Sequence, residues 1–248
     1  MNLGRFRRRT RWHHHANRRA YDAPADPWKL LPVSPDAVTY YTDELRLDWG
    51  LGRVQGGDWD REEHCRPFRE TTLYRGLEQR FEEGRDWEET ALYRRAKEEF
   101  ERGETVRGYE NLEEFRAVRC EYIDELFHSI EREGYRPNAV TTHEKATDDN
   151  PFEDAYANHL EPLVVIGRNG EVHWTEGNHR FAIASILGLD AVPVYVLCRH
   201  EHWQRVRDRM HDARDGAAAT DLPSDLKAHL GHPDLRDICA EETDIHPQ

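Results

Sequence analysis

Lysine is nearly missing from this chain. Its 35 basic residues include only four lysines (Lys29, Lys97, Lys145, Lys227), and the 31 arginines face 49 acidic residues for a formal charge of −14. An acidic, lysine-poor, arginine-rich balance fits a protein that works in concentrated salt, where carboxylates stay hydrated and screening removes their mutual repulsion. A genome whose codons favour arginine produces the same bias. In a salt-adapted protein net charge says little about partners, so the acidity does not exclude nucleic acid. Cysteine is also sparse. Cys65, Cys120, Cys198 and Cys239 form no C-x-x-C pair and no Cys/His cluster of zinc-site spacing. They read as reduced, mostly buried thiols, which fits a cytoplasmic protein. No apolar run is long enough to span a bilayer, and the N-terminus has no apolar signal-peptide core. A Walker P-loop, a Rossmann glycine fingerprint and a G-x-S-x-G elbow are all missing from the sequence.

Against this background one basic island stands out. Residues 5–19 carry Arg5, Arg7, Arg8, Arg9, Arg11, Arg18 and Arg19 together with His13, His14 and His15. As an arm, residues 1–22 suit the phosphates of DNA or RNA, or another anionic surface. As a solvated tail they need no partner. Leu3, Phe6 and Trp12 are too few apolar residues for deep membrane insertion.

Residues 23–66 read as a linker, rich in proline between 22 and 36, with a possible first strand at Val38–Tyr41. The glycines and aspartates of 50–60 signal a tight loop. Residues 67–108 read as a helical insertion. Pro67 suits a first helical position, and Leu73, Leu77 and Phe81 recur at spacing four. Asp86 is placed to cap a second helix, and Asn111 a third with Glu114 at the capping-box position. Residues 141–158 are polar and aperiodic, a loop. Leu163–Ile166 is of strand type, Asn169-Gly170 signals a hairpin, and Val172 and Trp174 continue it. A helix over 178–187, a strand over 192–197 and a charged helix over 201–213 follow. Residues 214–248 read as a tail with one short helix after an alanine-rich joint.

The chemistry concentrates at Glu176-Gly177-Asn178-His179-Arg180. A strand ends in Gly177, which admits a ligand close to the backbone, and a helix starts at once with its N–H groups and dipole facing that point. Arg180 offers a forked cation for phosphate oxygens, His179 a hydrogen bond or a proton relay, and Glu176 a base or a magnesium ligand. Asp58 is a second carboxylate that such a metal could use. Arg199 and His200 end the last strand and are expected at the same rim. Each residue also has a plainer role: a turn at Gly177, a backbone contact at His179, a surface ion pair at Arg180.

Residues 110 to 200 resemble the ParB/sulfiredoxin superfamily. Ile123–Tyr135 is similar to the "eLaeSIrehG" helix of ParB-like domains, Glu161–Val165 to the "PivV" strand, Gly177–Ala184 to the "GxHRlaAa" box, and Leu187-Gly188 with Val192–Val194 to the closing "LG…iPV" strand. The superfamily includes CTP-binding segregation clamps, sulfiredoxins, ParB-like nucleases and a free-serine kinase. Sulfiredoxin carries its catalytic cysteine where this chain has Asn178, so sulfinic-acid repair is not expected. The segregation clamps have GERR where this chain reads GNHR, and the GxHR form is closer to the kinase and nuclease branches. The resemblance implies an α+β protein with a small mixed-sheet core at 109–213. It implies a nucleotide, ATP or CTP, held by Gly177, Asn178, His179 and Arg180, and magnesium-dependent phosphoryl transfer or hydrolysis with Glu176 and His179 as the catalytic pair. The rivals are a DNA/RNA-binding or nuclease module using the arm, and a non-catalytic protein in which the box only closes the sheet.

Overall fold

A computed structural model describes residues 3–137, 160–214 and 222–239, and the chain has an α+β architecture. The predicted loop at 141–158 and the alanine-rich joint lie outside the described residues. The spine of the sheet is a nine-residue strand, β7 (Val192–His200). On one edge it pairs in parallel with β5 (Leu163–Ile166), which forms an antiparallel hairpin with β6 (Val172–Glu176). Its other edge is shared. β1 (Leu31–Val33) runs antiparallel to Val192–Val194, and β3 (Arg53–Gln55) runs parallel to Cys198–His200. Beyond β6 come β2 (Tyr40–Tyr41) and β4 (Arg66–Pro67).

Alternation along the strands gives the sheet two apolar faces. Val164, Ile166, Trp174, Val194 and Val196 join one core with α2 (Thr72–Phe81), α5 (Glu121–Glu133) and α6 (Asn178–Ile186). Leu163, Val165 and Leu197 join the other, which α1 (Leu3–Ala20) closes with Phe6. The hairpin follows its Asn-Gly signal, with Gly170 at φ +93 in the turn.

Several expectations are corrected. The stretch 23–66 is no linker, because β1, β2 and β3 all come from it and Leu31 and Val33 are buried. Pro32 stays in a strand because β1 lies at the sheet's edge, opposite Pro193. Pro67 pairs with Tyr40 instead of opening a helix, and Thr71 caps α2 by accepting from the Tyr74 N–H at 3.3 Å. Thr90, four residues beyond Asp86, caps α3 (Ala91–Glu101) in the same way, because Asp86 first opens a short 3-10 turn at Trp87–Glu89. Asn111 does cap its helix, accepting from the Glu114 N–H at 2.8 Å.

Residues 3–20 and 222–239 are built into the fold. α1 buries Phe6, Thr10, His13 and Asn17, one stripe at helical spacing, and exposes Arg5, Arg7, Arg8 and Arg11. The segment after Arg214 returns in residues 222–239, burying Leu222, Leu226 and Leu235. There Asp234 accepts from the guanidinium groups of Arg199 and Arg207 and from the Trp203 indole.

Candidate functional site: a cleft around His179

The box stands at the end of the hairpin opposite its turn. Gly177 caps α6 from the left-handed region, φ +82 and ψ 35, and a Cβ there would meet the Pro162 Cα at 2.8 Å. Only glycine combines that conformation with that approach. The Asn178 carboxamide accepts from the Trp174 indole at 2.5 Å, and Trp174 stacks on Phe181 with ring centroids 3.8 Å apart. Helix α6 therefore starts in a fixed orientation, and the N–H groups of its first turn have no acceptor within the helix. The Gly177 N–H is bound by Glu176 at 3.1 Å.

Asn178 and His179 line a cleft of about 600 Å³ between the box and the helices of 67–108. Four arginines reach it: Arg66, Arg95, Arg107 and Arg119. Arg66 is answered by Asp43 at 2.6 Å and Arg95 by Glu99 at 2.8 Å. Arg107 and Arg119 are the pair that acts on His179. Arg119 Nη2 lies 3.3 Å from His179 Nδ1 and 3.4 Å from Nε2. Burial, then Arg119, then Arg107 hold the His179 imidazole well below its usual pKa. The ring is thus neutral near pH 7, and one of its nitrogens accepts from the guanidinium.

Both arginines sit on irregular backbone. Arg119 belongs to a π-helical segment, Phe115–Cys120, set between α4 (Leu112–Glu114) and α5. It is itself only 5 % exposed. Such π segments often occur where a helix serves a site. Arg107 has φ 52, the single non-glycine residue in the left-handed region among those described, in the turn closed by Val106 and Tyr109. Conformations of this kind cost about 1–3 kcal/mol and gather at functional sites. Neither arginine belonged to the expected site. Arg119 did leave a signal, since it lies in the apolar stripe of its helix, four residues from Phe115 and four from Ile123. Arg107 had none, because its position depends on a tertiary turn.

The other expected site residues fall elsewhere. Arg180 turns away from the cleft. Its guanidinium meets Glu161 at 3.3 Å and the Leu160 carbonyl at 2.9 Å, while Tyr135 donates to the same carboxylate at 2.7 Å. The side chains of Arg180 and Glu161 are 11 % and 3 % exposed, so this is a buried ion pair joining α6 to the segment that leads into β5.

Asp58 does not join Glu176. It lies by the hairpin turn, bound to Arg168 at 3.0 Å and Arg61 at 2.7 Å, whereas Glu176 is at the other end of β6. Arg199 and His200 are corrected likewise. The register sets Ile166 against Arg199 but Leu163 against Glu176, which puts that end of β7 at the far rim. No group of three or more His, Cys, Asp or Glu that could hold a metal ion occurs among the described residues. Of the two carboxylates expected to share a metal, Glu176 is thus the one that stands at the box. Among the described residues no helix is long and apolar enough to cross a membrane.

In the N-terminal helix, Arg9 bonds Asp48 at 3.0 Å, and Arg5, Arg7, Arg8 and Arg11 face outward. All four cysteines are free thiols: Cys120 and Cys198 are buried, as expected, while Cys65 and Cys239 are half-buried. Comparison with family models, with curated proteins and with solved structures found no match to this chain.

Proposed function

We propose that the cleft around His179 binds a nucleotide through its phosphates. The observation that carries this reading is Arg119, a buried arginine aimed from a π segment at the first turn of a helix opened by a left-handed glycine. Arg119 and Arg107 offer forked guanidinium donors that suit phosphate oxygens, and the α6 N–H groups add donors of fixed direction. The cleft has the size of a small-molecule site. The likeness of Gly177–Ala184 to the ParB/sulfiredoxin box points to the same ligand, with ATP or CTP as the candidates.

The reaction class implied by that likeness is phosphoryl transfer or hydrolysis. When Arg119 turns from the imidazole to a bound phosphate, the lone pair of the neutral His179 is released for the proton of an attacking hydroxyl or water. We assign no step to a protein-held metal. The four free thiols support a cytoplasmic setting.

Calorimetry with ATP, CTP and GTP in high potassium chloride tests the reading, paired with turnover assays on the wild type, Arg119→Ala and His179→Ala. Wild-type binding that both variants abolish, with circular dichroism unchanged, is the expected result. Absence of any nucleotide binding by the folded wild type would overturn it.

A further inference from the structure

A second basic site lies on the opposite face of the sheet from the His179 cleft. Helix α1 and residues 46–54 enclose a groove of about 780 Å³ lined by Arg9, Trp12, Arg46, Trp49 and Arg53. Two of these arginines share one carboxylate, Asp48, which bonds Arg9 at 3.0 Å and Arg46 at 3.2 Å and so fixes both, while Asp208 and Glu201 lie near Tyr21 at the end of the groove. No acidic side chain lines the groove within a chain of charge −14, and α1 itself contains no acidic residue.

Its aromatic rings are placed for stacking. The Arg53 guanidinium lies 3.6 Å from the Trp49 ring centroid, and Arg46 lies 5.6 Å from the same centroid. Trp12 is 66 % exposed, and Arg5, Arg8 and Arg9 fall within two turns of it on the helix. A rigid indole left in water costs hydrophobic free energy, which a partner with flat apolar rings recovers. The scaffold beneath is preorganised. His13 bonds the Trp49 carbonyl at 3.0 Å, and Asn17 donates to the Gly52 carbonyl at 2.7 Å.

We propose that this groove binds single-stranded nucleic acid, with phosphates on Arg9, Arg46 and Arg53 and a base stacked on Trp12. Alternating cations and exposed aromatic faces are what an unpaired strand requires. A duplex hides its base faces and leaves Trp12 unused. A membrane is disfavoured because Phe6, the large apolar residue of the helix besides Trp12, is buried in the core.

Fluorescence anisotropy with labelled oligothymidylate and oligouridylate is the test. We expect the wild type to bind either or both at low salt, with quenching of tryptophan emission. Neutralising three phosphates predicts that affinity falls about twentyfold between roughly 50 and 200 mM salt. Trp12→Ala removes an exposed ring and leaves the buried face of α1 intact, and it should weaken binding about tenfold. Arg53→Ala should flatten the salt dependence. Arg119→Ala, in the other cleft, should leave oligonucleotide binding unchanged, so the two proposals fail independently. No binding at low salt, equal affinity for a duplex or for an acidic peptide, or indifference to Trp12→Ala would each overturn the assignment.

Discussion

Arg119 approaches the two ring nitrogens of His179 almost equally, at 3.3 and 3.4 Å, and this buried contact joins the π segment of one helix to the first turn of another. Arg119 is the second cause, after burial, of the lowered His179 pKa. Arg119→Gln removes the cation and keeps a donor. The His179 pKa should then rise toward 6.5, which NMR titration of its ring protons would read. A pKa that does not move would mean that Arg119 is not the group acting on it.

Four histidines, His13 and His173 buried and His179 and His232 half-buried, should make stability depend on pH in the acid range. His13, His173, His179 and His232 are all lowered, with burial as the first cause. In the unfolded chain each takes up a proton near pH 6.5, and in the folded chain it resists. The unfolded state therefore binds more protons below pH 6.5, and stability is lost as pH falls through that value. Thermal denaturation should show Tm falling from pH 7.5 to 5.5. Asp234, depressed by Arg199 and Arg207 despite its burial, adds a further loss well below pH 4. A Tm flat between pH 7.5 and 5.5 would contradict the histidine account.

Arg180 is a stability residue in this fold. Arg180→Ala leaves the Glu161 carboxylate in the core without this cation, a change that typically costs about 3–5 kcal/mol. The double variant Arg180→Met/Glu161→Gln should recover most of the loss, because it removes both buried charges. Urea denaturation of the single and double variants decides this, and equal destabilisation in both would show that the pair is not coupled.

Gly177→Ala tests the glycine at the head of α6. Its left-handed φ costs an L-residue about 1–2 kcal/mol. The added methyl would also press on the Pro162 backbone at 2.8 Å. We expect a loss of at least that size in chemical denaturation, accompanied by weaker nucleotide binding as the first turn shifts. Unchanged stability would mean that the backbone relaxes around the methyl group.

The N-terminal helix should not behave as a removable arm. Thr10 accepts the Leu51 N–H at 3.0 Å in a buried setting. Thr10→Val leaves that donor without an acceptor, at a cost of about 1–3 kcal/mol. Deleting residues 1–20 would uncover the core around Leu51 and Leu163, so lowered Tm is the expected outcome. A deletion variant as stable as the full chain would show that α1 docks only weakly.

Local pattern was enough to read the elements whose causes are local. The hairpin at Asn169-Gly170, the Asn111 cap, the apolar stripe of α5 and the glycine-opened helix at 177 follow from turn chemistry, capping and periodicity, all decided within a few residues. Partner choice was not. Whether Arg180 faces a phosphate or Glu161 depends on where the segment leading into β5 places a buried carboxylate, 19 residues earlier in the chain. Arg107 and Arg119 enter the site because a turn and a π segment bring them there across long loop closures. The proline-rich stretch became β1 because the free edge of β7 was available to pair with it. The basic island became a packed helix because its thin stripe of Phe6, Thr10, His13 and Asn17 met the backbone of Trp49–Gly52. Sequence alone determined which segments could form helices, strands and turns, since those depend on neighbours in the chain. The tertiary structure decided which charges meet, since electrostatic partners are chosen by distance in space.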